Sequence, residues 1–131
     1  MNNTTDIFDK AKIEVQKLWA NHKELSNFVN FPKKLVLKSL KSQKTSVTDK
    51  LFNWNKNLNT KLLELHKAIS DLSPYVNWEQ GYKEKEVGKD FLNKYGFFEL
   101  IGPTGHFQTS EMALYVNFLD KNAYYPWHNH E

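Results

Sequence analysis

Apolar residues recur every three or four positions near the start of the chain, which is the period of an amphipathic helix. The recurring positions are Ile7, Ala11, Val15, Leu18 and Trp19. Thr4 or Thr5 can cap this segment, because a hydroxyl accepts a hydrogen bond from a free N–H group of the first turn. Asp6 and Asp9 lie near the positive end of the helix dipole. The pattern therefore predicts a first helix that begins at about residue 4.

A short second helix is predicted after the break at Phe31-Pro32. Proline is favoured in the first turn of a helix, because its missing N–H group would have no partner there. The predicted helix carries Leu35, Val36 and Leu40, and the lysines between them form its solvated side.

A longer third helix is predicted from an apolar stripe of nearly four heptads. The stripe consists of Val47, Leu51, Trp54, Leu58, Leu62, Leu65, Ile69 and Leu72. Ser73-Pro74 ends it, because proline cannot continue a helix. Such a stripe needs a partner surface, which could be the preceding helices, the following strands or a second subunit.

After Pro74 the pattern changes to turns and short strands. Trp78, Gly81 and Tyr82 lie in a turn-rich stretch, and a short helical piece follows at 87–95. A strand is predicted at 97–101 and a second one at about 111–119. The residues that separate and follow these strands are typical of turns, namely Gly102-Pro103-Thr104-Gly105 and Asp120-Lys121-Asn122.

The order of these elements predicts an α+β protein, in which about three helices precede the first strands of a β domain. We place the helical region at residues 1–75 and the start of the β domain at residues 76–131. So few strands rarely form a stable sheet alone.

Composition indicates a folded protein, since 40% of the residues are hydrophobic and 15% are aromatic. The net charge is +3, but all 18 basic residues are lysines spread along the chain. Nucleic-acid binding is therefore not expected, because that function favours arginine and a concentrated basic face. The chain has no cysteine, no long apolar run and no signal-peptide pattern, so we expect a cytoplasmic protein without a membrane segment.

Two histidines near the end of the chain are candidate metal ligands. His128 and His130 are two positions apart, so both imidazoles face the same way on a strand and can reach one ion. By its spacing alone the pair is a weak signal, because surface histidines also occur in pairs by chance. We interpret the others, His22 and His66 on predicted helices and His106 in a turn, as solvent-exposed or packing residues.

The residues around this pair resemble the cupin-type dimethylsulfoniopropionate (DMSP) lyases. The most specific shared segments are Glu-Leu-Ile-Gly-Pro-Thr-Gly at 99–105 and Tyr-Pro-Trp-His-Asn-His at 125–130. The other shared positions are 72–74, Trp78, 81–82, 95–96 and the strand before Asn122. Asn122 stands where the motif usually has glycine, and asparagine is the residue that best tolerates a positive φ after glycine.

The resemblance implies a helical region followed by a cupin barrel, also called a double-stranded β-helix or jelly roll. It implies that His128 and His130 bind a divalent metal ion (Fe, Zn, Mn or Ni) and that Tyr125 is catalytic. In the family a glutamate, a second tyrosine and a third histidine follow, at positions that would lie beyond residue 131. We therefore expect a fragment that ends inside the first cupin motif and is inactive alone.

The implied activity is that of a bacterial carbon–sulfur lyase, which converts DMSP to dimethyl sulfide and acrylate. The aromatic rings of Tyr124 and Trp127 are candidates for contact with the sulfonium cation of this substrate. One geometrical objection concerns Tyr125, which is an odd number of residues from His128 and should face away from it on a regular strand. Pro126 offers a solution, because proline favours a bulge or bend. A homodimer is compatible with the resemblance.

Two other interpretations remain open at this point. The chain could be part of another metal-binding cupin, such as an isomerase, a dioxygenase or a small-molecule-binding protein. It could also be a helical oligomerisation module in which the stripe from Val47 to Leu72 binds a second subunit and the histidines are incidental.

Overall fold

The computed structural model describes residues 3–54 and 61–124. Within these ranges the helices are α1 (Asn3–Asn21), α2 (Lys23–Phe28), α3 (Thr48–Phe52), α4 (Leu63–Leu72), α5 (Glu84–Val87) and α6 (Lys89–Leu92), with a 3-10 turn at Ser73–Tyr75. The strands are β1 (Val36–Leu37), β2 (Tyr95–Gly102), β3 (Phe107–Gln108) and β4 (Leu114–Leu119). The expected α+β class is confirmed.

The first predicted helix is confirmed as α1. Its apolar stripe is buried against α4 and the sheet, with Ala11 fully covered and Val15 3% exposed. Trp19 closes the end of the helix, where its indole N–H donates to the carbonyl oxygen of Val29 at 2.9 Å. This bond joins α1 to the chain segment that follows α2.

The predicted second helix after Pro32 is wrong. The helix of this region, α2, lies before the proline, and the segment after it contains the strand β1. Val36 and Leu37 pair antiparallel with β3, and the N–H of Lys38 donates to the carbonyl oxygen of His106 at 2.8 Å. Pairing with a distant strand has overridden the local preference, and a β-branched valine suits it.

The predicted third helix is also wrong as one continuous element. It begins as α3 and ends at Phe52, and α4 starts only at Leu63. Leu58 lies outside the described residues. A straight helix would separate residues 48 and 73 by about 37 Å, whereas the Ser73 hydroxyl donates to the carbonyl oxygen of Thr48 at 2.6 Å. The chain must therefore leave the helix so that its two ends can meet.

The apolar stripe of this segment packs against the chain's own core. Val47 and Leu72 are fully buried, and Leu51 is 4% exposed. Trp54 is half-exposed next to the end of α3. The core of this chain thus supplies a partner surface for the buried members of the stripe, whereas Leu62 is 38% exposed.

The four strands form one sheet in the order β1-β3-β2-β4. β2 pairs antiparallel with β4 and parallel with β3. The two predicted strands are confirmed, at slightly different bounds. Tyr95, which we expected in a helical piece, is instead the first residue of β2 and pairs with Leu119.

The sheet has two chemically different faces, because successive side chains of a strand point to opposite sides. Phe98 and Val116 are on the face that packs against the helices, in the core cluster that includes Trp78. Gly96 lies on this face, where a Cβ atom would come within 3.0 Å of the Trp78 ring and 2.7 Å of Val47. The opposite face, called here the aromatic face, consists of Tyr95, Phe97, Glu99, Tyr115, Asn117 and Leu119.

The helices of residues 1–75 and the strands that follow share this core. The division at residue 75 remains a prediction. None of the described helices combines the length and the hydropathy needed to cross a membrane.

Candidate functional site

The predicted site residues Tyr125, His128 and His130 lie outside the described residues. The structure does describe the chain up to Tyr124, which directly precedes them and is 78% exposed. The site is therefore built from the strand and turn that lead into these residues and from the side chains around that strand.

The turn after β4 is held in place by contacts with α3 and with the turn between α6 and β2. The N–H of Asp120 donates to the carbonyl oxygen of Lys94 at 2.8 Å, and the Asp120 carboxylate lies 3.0 Å from Lys50 Nζ. The hydrogen bond from Lys50 lowers the pKa of Asp120, and the N–H of Lys121 lowers it further. Asn122 has a φ of 63°, so the prediction that asparagine can replace glycine in this turn is confirmed.

The Gly-Pro-Thr-Gly turn is organised around a buried carboxylate. Glu99 is 8% exposed, and both the N–H and the hydroxyl of Thr104 donate to its carboxylate, at 2.8 Å and 2.7 Å. A Cβ atom at Gly102 would collide with the same carboxylate, and one at Gly105 would lie 3.1 Å from Glu99 Cγ. The burial of Glu99 under its own turn thus explains the threonine and the two glycines of this segment.

Tyr115 lies opposite Glu99 on the aromatic face. The negative charge of Glu99 raises the pKa of Tyr115, and desolvation, a hydrogen bond to Glu99 and the charge of Glu79 raise it further. The phenol therefore keeps its proton over a wide pH range. Such a tyrosine can donate a hydrogen bond but is a poor general base.

Aromatic rings form a continuous row along this face. Phe91 stacks on Tyr95 with ring centroids 4.9 Å apart, and Tyr95 contacts Phe97 at 6.1 Å. Phe97 meets Tyr115 edge to face at 6.0 Å, and Tyr82 contacts both Phe91 and Tyr95. We did not predict this row, although alternate positions of β2 carry Tyr95 and Phe97 and would have indicated it.

The three described histidines have separate environments. His106 is buried, and its Nε2 accepts a hydrogen bond from the N–H of Asn77 at 3.2 Å, which confirms a packing role. Burial lowers the pKa of His106 to about 4, although the charge of Glu99 opposes this shift. His66 lies against the ring of Trp54, and His22 is exposed just before α2. Within residues 3–54 and 61–124, no group of three or more metal-ligating side chains could hold an ion.

A cavity of about 650 Å³ lies on the other side of β4, between this strand and the helices α3 and α4. Its lining is mainly apolar and includes Trp54, Ile69 and Phe118. Val116 and Phe118, which also line it, are on the face of the sheet that packs against the helices.

Helices that precede a β-sheet, with a His-x-His motif following the last described strand in the sequence, are what the resemblance to the cupin-type lyases implied. The model of the dimethylsulfoniopropionate lyase family matches residues 38–131, so the chain belongs to this family. The resemblance noted in the sequence is thereby confirmed.

A similar protein sequence and a similar crystal structure support the assignment. The chain is 25% identical to the dimethylsulfoniopropionate lyase DddQ of Ruegeria pomeroyi over 130 residues, which are 99% of this chain and 65% of DddQ. A chain from the crystal structures of the DMSP lyases RdDddP and RnDddQII is 28% identical and superposes with a TM-score of 0.83, over 88% of this chain and 60% of that one.

The crystal structure of DddQ from Ruegeria pomeroyi DSS-3 has the same fold, with a TM-score of 0.84 at 23% identity, over 92% of this chain and 61% of that one. The chain thus spans between 60% and 65% of the length of these relatives.

Proposed function

We propose that this chain is part of a lyase that converts DMSP to dimethyl sulfide and acrylate by β-elimination with the help of a divalent metal ion. The family match over residues 38–131 carries the proposal, because it includes both the Gly-Pro-Thr-Gly turn and the His-x-His motif. The same match disfavours an unrelated cupin chemistry, since only the second of these motifs is common to cupins in general. A cytoplasmic location and a homodimer remain predictions.

His128 and His130 are the proposed metal ligands. A divalent ion at this position would supply positive charge to the substrate carboxylate, which eases loss of the neighbouring proton. Two imidazoles alone hold such an ion weakly, because typical sites use three or four protein ligands. We therefore propose that the 131 residues alone turn over DMSP slowly or not at all.

Tyr125 is the proposed base that accepts the α-proton. A tyrosine has an unperturbed pKa near 10, so it acts as a base only where nearby positive charge favours the tyrosinate. The electron pair of the broken C–H bond forms the double bond of acrylate, and the C–S pair leaves with dimethyl sulfide. The leaving group departs as a neutral thioether, so this step requires no general acid.

Headspace detection of dimethyl sulfide tests the proposal. The assay uses a chimera in which residues 1–131 are followed by the part of Ruegeria pomeroyi DddQ that extends past the matched region, with iron, zinc, manganese or nickel added in turn. Gas release that His128→Ala abolishes supports the proposal, and His22→Ala is the matched control because His22 is an exposed histidine just before α2. A folded chimera that releases no gas with any of the four metals contradicts it.

A further inference from the structure

We propose that the aromatic face of the sheet, at Phe97 and Tyr115 between the carboxylates of Glu79 and Glu99, binds the sulfonium group of the substrate. This inference rests on the proposed function, because it assigns one end of the proposed substrate to a described surface.

The first argument is the geometry of the rings. Phe97 lies between Tyr95 and Tyr115, with centroid distances of 6.1 Å and 6.0 Å. Tyr115 is 48% exposed, and Phe97 is half-buried. Their tilted, edge-to-face arrangement leaves ring surface of both residues next to solvent, where a small cation can contact it.

The second argument is charge. Glu99 pairs with Tyr115 across the strands β2 and β4, and the backbone of Glu79 pairs with that of Phe97 on the other side of β2. The two carboxylates therefore flank the two rings on the same face. Among the described residues no ion pair involves either glutamate, so their negative charge is not neutralised by a lysine.

The third argument is the chemistry of the ligand. A sulfonium ion carries a fixed positive charge and has no N–H or O–H group, so it is bound by ring faces and nearby negative charge and not by hydrogen bonds. The negative charge of Glu99 raises the pKa of Tyr115, so the ring stays neutral and its face is left for the ligand. The same carboxylates repel the carboxylate of the substrate, so they orient the zwitterion with its sulfonium end towards this face.

Trimethylsulfonium is a suitable probe, because it has the cationic head of the substrate but no carboxylate and no hydrogen for elimination. We titrate it into the 131-residue chain and follow its methyl signal by NMR, where contact with ring faces produces a saturable upfield shift. Tert-butyl alcohol has the same arrangement of three methyl groups without the charge. We expect a saturable shift for the sulfonium ion and none for the alcohol.

Substitutions locate the binding surface. Tyr115→Leu and Phe97→Leu should each weaken binding about two- to fivefold, which is the contribution of an exposed cation–ring contact. Glu79→Gln should also weaken it, and Tyr115→Phe should keep most of the affinity because it retains the ring. Tyr75→Leu is the matched control, since Tyr75 is similarly exposed, at 41%, but lies on the 3-10 turn.

The outcomes separate this inference from the proposed function. Equal affinity of the original chain, Tyr115→Leu and Tyr75→Leu overturns the inference, and so does the lack of any saturable shift. If a leucine variant fails to fold, Glu79→Gln decides, because its side chain is exposed. Sulfonium binding without dimethyl sulfide release from the chimera would contradict only the proposed lyase activity. Release with an unchanged KM for DMSP in Tyr115→Leu would contradict only the sulfonium site.

Discussion

Glu99 and His106 are two buried ionisable side chains with different surroundings. Glu99 receives two hydrogen bonds from Thr104, which replace the water that an ionised carboxylate would otherwise require. His106 receives a backbone N–H group at Nε2 and lies against the ring of Phe8, an environment that suits a neutral imidazole. The Glu99 carboxylate is therefore buried with hydrogen-bond donors around it, whereas the His106 imidazole is buried where protonation is disfavoured.

The environment of His106 makes the stability of the fold dependent on pH. Burial lowers its pKa from 6.5 to about 4 in the folded state, so the unfolded chain binds more protons below pH 6.5. The free energy of unfolding should therefore fall as the pH drops from about 6.5 to about 4, by at most about 3 kcal/mol from this residue. Urea unfolding at pH 7 and pH 4.5 measures the effect.

His106→Gln is the informative variant for this prediction, because glutamine keeps an acceptor for the N–H of Asn77 but does not titrate. Its loss of stability between the two pH values should be clearly smaller than that of the original chain. An identical loss in both proteins would show that carboxylates, and not His106, determine the acid sensitivity.

At the residue scale the sequence allowed some predictions and not others. The positive φ of Asn122 could be anticipated, because local turn chemistry determines it. The role of Glu99 could not, since its burial depends on a turn folding back over the strand and on Tyr115 of a neighbouring strand. From sequence alone, a charged residue in a strand is predicted to be exposed, because the partners that would allow its burial are not known.

At the scale of elements, the segment from α3 to α4 shows where periodicity is insufficient. The spacing of apolar residues correctly indicates helices, because both pieces bury one face. It does not indicate the interruption after Phe52, which brings Thr48 and Ser73 together. β1 and β3 are two residues each, too short for an alternating pattern, and they are defined by their pairing with each other and by that of β3 with β2.

The contact between α3 and the 3-10 turn should be important for stability. Ser73 is fully buried, and its hydroxyl donates to the carbonyl oxygen of Thr48. Ser73→Ala removes this buried hydrogen bond, which should cost about 1 kcal/mol. Ser26→Ala is the control, because Ser26 makes a similar bond to the carbonyl oxygen of Lys23 at an exposed position.

Urea denaturation measures the free energy of unfolding of both variants. The control should change it by less than about 0.5 kcal/mol, and equal effects of the two substitutions would contradict the prediction.

At the scale of the whole molecule, the candidate site could be predicted only in part. The motif at 125–130 and the turn at 99–105 identified the family, because both are local stretches of sequence. The aromatic face required the register of β2 against β4, which brings Glu99 opposite Tyr115. No local pattern specifies that register, since it follows from packing the opposite face of the sheet against the helices.

The shared core predicts that the helices and the sheet unfold together. Phe8 and Val15 of α1 belong to the same buried cluster as Phe98 of β2, so neither part keeps its core without the other. Val15→Ala should lower the stability by about 2 kcal/mol, and Ile13→Ala, on the 46% exposed side of the same helix, should have little effect. The midpoint for Val15→Ala should shift equally in far-UV circular dichroism, which reports the helices, and in the NMR signals of β2 and β4. A shift confined to the helical signal would instead show that residues 1–75 unfold as a separate domain, because the sheet would then keep its packing after α1 is lost.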